Sequence, residues 1–442
     1  MIHSYNPLQV IDGGSTGSRL HIFEFQLDVT TNQTSLLRRG SARANIPLSY
    51  FAPSYTNANP DVSNVDGSSS DSTSSSTDAM TVNSTHVAAH LIPLFDYAST
   101  IVPEEFHAET LVTYQATAGM RLVDPKEQTL VYDALYEGLL EHPNYKFVGI
   151  QREHIQTLSG EKEAFFGAIA ANYLTGLIDV RLEMVGGAFG EHEIDPDAEG
   201  RSLDGPLGAL DMGGASMQIV FLPHEEKEQT CNNLEQGEQQ QSGSCQNSAM
   251  IPQNINQLNG DDFFATSYLS YGADQFRERL WDTWVGEREM SLTSNPKTCE
   301  TNMIYNPCGF KGHMREWKGY NMIGTGDAKA CAKEINRLIP HEENVVDGEV
   351  VQKSNRRVGG VKHPALRGKF VAMSLFFFTL DCLRELSNHE ALDLAWPTPS
   401  ISELTSALDS LCERRWQEVR SIFIHSNELN FFVFALTIFF SI

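Results

Sequence analysis

Two stretches of this chain carry the same arrangement of chemically useful residues. Residues 8–23 read LQVIDGGSTGSRLHIF and residues 207–221 read LGALDMGGASMQIVF. Each is an apolar run, an aspartate, a glycine pair among small residues, and a second apolar run. Glycine lets backbone N–H groups approach an anion closely, and successive N–H groups in a turn form an anion-binding concavity. Gly14, Ser15, Thr16, Gly17 and Ser18 offer such donors in the first copy, and Gly213, Gly214, Ala215 and Ser216 in the second. An aspartate at a strand end, here Asp12 or Asp211, can hold a hard divalent cation through its water shell. Two loops of this kind facing each other would grip a phosphate–metal complex from both sides. One copy alone reads equally well as a tight hairpin built from favourable turn residues. The second copy, roughly 200 residues on, tips the reading to phosphate chemistry. Neither loop is a Walker A motif, since no Gly-Lys-Ser/Thr follows, and neither is a dinucleotide fingerprint, since a strand pattern rather than a helix follows.

The elements that must carry these loops can be read coarsely. Residues 8–27 form a hairpin pattern, 110–114 (TLVTY) a buried-type strand, and 147–150 a further strand. Helical spacing marks 87–97, 126–140, 159–177, 263–280 and 401–421, and 364–386 is an apolar stretch followed by helix. Three segments interrupt the pattern: a Ser-, Thr- and Asn-rich insertion at 52–86, a Gly- and acid-rich loop at 186–205, and a polar, Gln-rich insertion at 223–262. Strands alternating with helices predict an α/β class with mixed sheets. A chain of 442 residues exceeds one ordinary core, so two domains are expected.

Composition bounds the partners. A net charge of −25 argues against a nucleic-acid backbone as partner. An acidic chain still binds nucleotides where a cation and backbone N–H groups supply the positive field. The 7 cysteines all lie in the second half without zinc-finger spacing, and Cys231 and Cys245 could close the polar insertion. Sequons stand at Asn32 and Asn83. Residues 1–10 carry no signal-peptide pattern, and the apolar run at 431–442 is shorter than the roughly 20 residues of a membrane span.

Between the two loops lie QATAGMRL (115–122) and LSGEKEAFFGAIAANYL (158–174). The four stretches in this order resemble the apyrase family, the nucleoside tri- and diphosphate phosphohydrolases of cell surface, Golgi and plants, within the actin, hexokinase and Hsp70 superfold. SYLSYGADQ (267–275), the run from His363 and LCERRWQEV around Cys412 extend the resemblance to about residue 420. The resemblance implies two RNase-H-like lobes, mixed sheets flanked by helices, with the active site in the interlobe cleft. It places the N-terminal phosphate-binding lobe at 1–160, the C-terminal lobe at 161–420 and an atypical apolar tail at 421–442. It implies hydrolysis of the terminal phosphate by direct in-line attack of water, dependent on Ca²⁺ or Mg²⁺, in the secretory pathway.

Residue by residue, the resemblance makes Glu163 the general base; from sequence alone that carboxylate merely complements a helix dipole. Ser216 and Gln218 would hold the water, Asp12 and Asp211 the cation, and the glycine loops the phosphates. Thr117 would sit beside the terminal phosphate. Arg121 would brace its loop by hydrogen bonds, with direct phosphate contact the alternative. Cys299, Cys308 and Cys331 fall where relatives carry disulfides, with the pairing open; Cys412 is either free or bonded to Cys382. Tyr271 marks the neighbourhood of a base-stacking aromatic. The chain departs from the family pattern at Lys162, Ala164 and Ala168. It departs also beyond residue 420, where a fifth motif and a helix returning to the first lobe are expected, and at the N-terminus, where a leader or anchor is expected. Such ends imply a less stable chain and leave membrane association open through atypical termini. Two other readings remain: an exopolyphosphatase-type enzyme of the same superfold, and a nucleotide-binding protein that does not hydrolyse.

Overall fold

The apolar run before Asp12 becomes a central strand because both its neighbours give it partners. In the computed structural model, β1 (Asn6–Gly14) pairs antiparallel with β2 (Gly17–Asp28), and β2 with β3 (Gln33–Ala44). On its other side β1 pairs parallel with β4 (Leu111–Ala116), which pairs parallel with β5 (Ile155–Thr157). The order β3-β2-β1-β4-β5 makes one mixed sheet. The structure describes residues 6–28, 33–58, 81–185, 205–223, 257–294, 302–339, 343–346, 349–353, 357–364, 366 and 368–422.

The chain divides into two compact units. The first comprises Met1–Glu163, Met212–Met217 and Ser267–Arg279, and the second Ala164–Asp211, Gln218–Thr266 and Leu280–Ile442. In the first unit Ile11, Leu20, Ile22, Val112 and Tyr114 lie on one face of the sheet and join the core beneath it. The core is completed by helices: α1 (Pro53–Ala58), α2 (Ser84–Ala89), α3 (Ile92–Ser99), the short α4 (Ala118–Arg121) and α5 (Pro125–Glu141). Asp124 caps α5 by accepting from the Lys126 N–H, with Pro125 in the first turn, where its missing donor costs nothing. Strand periodicity fixes the register here, since a one-residue slip would turn Ile11 and Leu20 to the opposite face.

α6 (Gly160–Leu174) begins in the first unit and continues into the second. Ala164 and Ala168 of α6 are buried there with Ile178, Val220 and Phe263, so small residues set how closely this helix packs. The sheet β16-β6-β7-β8 contains β6 (Gly208–Met212), β7 (Ser216–Phe221), β8 (Phe264–Leu269) and β16 (Phe370–Ser374). After α7 (Ala273–Ser294) come β9 (Met303–Asn306), β10 (Met314–Trp317) and β11 (Tyr320–Gly324) in the order β10-β11-β9, then α8 (Ala328–Leu338). Two small ladders follow, β12 (Glu343–Val346) with β13 (Glu349–Lys353) and β14 (Arg357–Val358) with β15 (Val361–Lys362). Helices α9 (Leu375–Ser387), α10 (Glu390–Ala395), α11 (Ile401–Cys412) and α12 (Trp416–Ile422) complete the described part. Ser400 and Glu403 form a capping box at α11.

A disulfide joins Cys308 to Cys331. Cys382 and Cys412 are both free and buried in one apolar cluster, where burial pushes each thiol up to about 12. Cys231, Cys245, Cys299, Asn32 and the 431–442 run lie outside the described residues, as do most of the three insertions. Among the described residues no helix is long and apolar enough to cross a membrane.

Four expectations are corrected. Residues 87–97 fall in two helices, α2 and α3, separated at His90 and Leu91. Residues 147–150 are a turn: Phe147 and Ile150 are buried while Val148 is exposed, and the Ile150 N–H donates to the Phe147 carbonyl. The apolar residue types of this short run suit a buried strand, but burial three residues apart suits a turn. Residues 263–280 are not one helix, because 264–269 pair as β8, Ser270 takes a left-handed φ of 66°, and α7 starts only at Ala273. Residues 401–421 are two helices, interrupted after Cys412.

Candidate active site

The first glycine loop is a two-residue turn, Ser15–Thr16, closed by the Gly14–Gly17 pair. Its glycines answer specific clearances. A Cβ on Gly13 would lie 2.6 Å from the Tyr114 ring, and one on Gly17, where φ is +135°, would lie 2.2 Å from the Ala44 carbonyl oxygen. Tyr114 is buried beneath the turn and shares a 2.8 Å hydrogen bond with the Ser18 hydroxyl. Burial raises the Tyr114 pKa, so its phenol stays neutral. The Ser18 side chain thus faces inward and supports the turn, while Thr16 is exposed. Asp12 pairs across the sheet with Arg19, whose guanidinium lies 3.8 Å from its carboxylate.

Thr117 ties the second motif to this turn: its N–H donates to the Gly13 carbonyl at 2.9 Å. Gly119 then approaches so closely that a Cβ there would lie 2.9 Å from the Ser15 Cα. One turn further, Arg121 extends from α4. Its Nη1 meets Glu163 Oε2 at 2.7 Å and donates to the Leu158 carbonyl at 3.1 Å. Its Nη2 donates to the Ser216 hydroxyl at 3.0 Å and reaches the Ser267 hydroxyl at 3.5 Å. Side-chain exposure is 14% for Arg121 and 19% for Glu163, so water screens the pair weakly.

The second loop is held by another segment. The Ala273 N–H donates to the Gly213 carbonyl, those of Asp274 and Gln275 to the Gly214 carbonyl, and that of Ser270 to the Ala215 carbonyl, at 2.8–3.0 Å. All three turn carbonyls are therefore occupied from the side of residues 270–275. A Cβ on Gly272 would lie 2.4 Å from the Ser216 nitrogen, so this segment needs glycine at closest approach. A Cβ on Gly214 would lie 2.8 Å from Ser15 Oγ and 3.5 Å from Thr16 Cγ2: the two glycine turns lie side by side.

The first unit therefore brings together Asp12, Gly14 through Ser18, Thr117, Glu163 and Gly213 through Ser216. Asp211 and Gln218 stand in β6 and β7, one residue outside Met212–Met217 on either side, and belong to the second unit; Gln218 is buried. Sequence reasoning did not find the support from Tyr114, Ser267 and residues 270–275. The signal for the last was available, since a Gly followed by Ala-Asp marks a helix start rather than a helix interior.

Among the described residues no three His, Cys, Asp or Glu side chains gather as a cation cage. The Asp12 carboxylate is 41% exposed at the end of its strand. That donor set fits a hard divalent ion held through water and substrate oxygens, as Mg²⁺ commonly is, rather than one enclosed by protein.

The first unit is thus an α/β unit built on a mixed sheet, with two apposed glycine turns and a paired carboxylate. Residues 5–432 match the GDA1/CD39 (nucleoside phosphatase) family, and the chain belongs to it. It is 26% identical over 431 residues to the Golgi apyrase of Saccharomyces cerevisiae, covering 93% of this chain and 58% of that protein. It is 30% identical over 334 residues to ectonucleoside triphosphate diphosphohydrolase 2 of Gallus gallus, covering 72% of this chain and 57% of that protein. The chain thus spans less than two thirds of the length of these relatives. A crystal structure of nucleoside triphosphate hydrolases from Neospora caninum shares the fold, with a TM-score of 0.57 at 15% identity, over 100% of this chain and 86% of that one. The family resemblance carried by the four motifs is thereby borne out.

Proposed function

We propose that this chain hydrolyses the terminal phosphate of nucleoside tri- or diphosphates by direct attack of water, dependent on Ca²⁺ or Mg²⁺. The reading is supported by family membership and by the names of the relatives, an apyrase and a triphosphate diphosphohydrolase. The observation that carries it is the side-by-side placement of Gly214 with Ser15 and Thr16, with Thr117 and Glu163 in the same unit. Backbone N–H groups of Gly14 to Ser18 and of Gly213 to Ser216 would cradle the phosphates. Thr117 would sit beside the terminal phosphate. Ser216 and Gln218 would orient the water, and Glu163 would accept its proton. Asp12 and Asp211 would hold the ion, which when bound neutralises charge on the phosphate oxygens. No phosphoenzyme is required. The two lobes would be 1–160 and 161–420, and the names of the relatives, a Golgi apyrase and an ectonucleoside triphosphate diphosphohydrolase, support a location in the secretory pathway, in the Golgi lumen, at the cell surface or secreted.

The test is phosphate release from ATP, ADP, GDP and UDP, each with and without Ca²⁺ or Mg²⁺, for the wild type and Glu163→Gln. Release that needs the cation and falls by about 10²–10⁴-fold in the variant is expected for loss of a general base. Near-normal turnover by Glu163→Gln would exclude the assignment.

A further inference from the structure

Arg121 is the residue at which the site's motifs converge. Its guanidinium is a rigid planar fork, with one nitrogen on the Glu163 carboxylate and the Leu158 carbonyl and the other on the Ser216 and Ser267 hydroxyls. It projects from α4, a helix whose start is tied to the first glycine turn through Thr117 and Gly119. Glu163 and Ser216 come from distant parts of the chain, one at the start of α6 and the other at the start of β7. No sequence pattern fixes their spacing. A shared fork does.

We propose that Arg121 is a positioning residue that yokes the carboxylate of Glu163 to the hydroxyl of Ser216, fixing their separation and holding the carboxylate ionised and ready to accept a proton. This rests on the reading of Glu163 as base and Ser216 as water ligand. The charge chemistry is consistent. A cation at 2.7 Å favours the charged carboxylate. From β7 and β8 the fork meets the uncharged hydroxyls of Ser216 and Ser267. Glu161 and Lys162, on the same helix as Glu163, are exposed. Nearby, Asp274 is engaged by Arg277 at 2.9 Å, so its charge is balanced locally.

A lysine at this position keeps the charge and loses the fork, while an alanine loses both. The two functions of Arg121 therefore separate in a pH–rate experiment on the full chain. Nucleotide dissociation constants, thermal unfolding and kcat against pH would be measured for wild type, Arg121→Lys, Arg121→Ala and Glu163→Gln. In Arg121→Lys, kcat is expected to fall by roughly 10²-fold, the cost of a misplaced catalytic group, with nucleotide affinity nearly kept and the acid limb of kcat in place. In Arg121→Ala the acid limb is expected to rise by about 1–3 pH units, the span an adjacent cation commands. A folded Arg121→Lys with wild-type kcat, or a folded Arg121→Ala whose acid limb does not move, overturns the proposal. If Arg121→Ala does not fold, the lysine variant decides alone. Glu163→Gln keeps the two readings apart: near-normal hydrolysis there defeats the base assignment itself, whereas an inactive Glu163→Gln beside a wild-type-like Arg121→Lys defeats only the yoke.

Discussion

The two glycine turns share a sequence pattern, yet they are held in place by different means. The first is fixed from beneath by close contact. Gly13 lies on the buried Tyr114 ring, Gly17 lies on the Ala44 carbonyl, and Ser18 is bonded to the Tyr114 phenol. The second has slack around its first glycine, where a Cβ would meet nothing nearer than the Ser216 carbonyl oxygen at 3.7 Å. It is restrained instead by N–H groups of residues 270–275 on its three carbonyls. The turns therefore differ at their first glycines: Gly13 has no clearance against the Tyr114 ring, whereas Gly213 has room and its turn is held through its carbonyls, with clearance demanded only at Gly214.

The largest effect should come from Gly17→Ala. It combines a φ of +135° with a Cβ 2.2 Å from a backbone oxygen, which cannot move aside. A loss of about 3 kcal/mol or more in urea unfolding is expected. A fully stable variant would show that clearance does not hold the first turn. Tyr114→Phe should cost about 1–2 kcal/mol by leaving the buried Ser18 hydroxyl without the phenol. Its chemical midpoint tests whether the first turn is supported from below. In the segment that holds the second turn, Ser270→Gly should raise stability by about 0.5 kcal/mol. It relieves a left-handed φ of 66° at somewhat more than the entropy glycine adds to the unfolded chain. A destabilised variant would mean that the hydroxyl matters more than the backbone. The smallest effect belongs to Gly213→Ala, expected within about 0.5 kcal/mol of wild type, since it adopts no left-handed φ and has room. If Gly213→Ala proved as damaging as Gly17→Ala, the contrast between the turns would fail.

Much of the first unit was legible because its signals are local. Alternating apolar residues around Asp12 gave the hairpin, and the apolar face of 126–140, with Leu135 and Leu139 buried, gave α5. The misread segments are those where local pattern and tertiary role diverge. Phe147, Val148 and Ile150 are residue types common in strands, but Phe147 and Ile150 anchor a turn and Val148 is exposed. Residues 264–269 read as part of a helix, and tertiary pairing beside β7 makes them β8 instead. The bracing role of Arg121 was readable in outline. Its partners were not, because an ion pair between residues 121 and 163 leaves no periodic trace.

By itself the sequence determined the strand–glycine–strand units, the motifs in their order and hence the family, because these depend on side-chain period, turn chemistry and residue type along short stretches. Tertiary structure alone decided that Gly214 lies against Ser15, that residues 270–275 hold the second turn by its carbonyls, and that one guanidinium spans Glu163 and Ser216. The physical reason is that each of these contacts joins residues tens to hundreds of positions apart. Their distance is set by how sheet and helices pack, and no local preference records it.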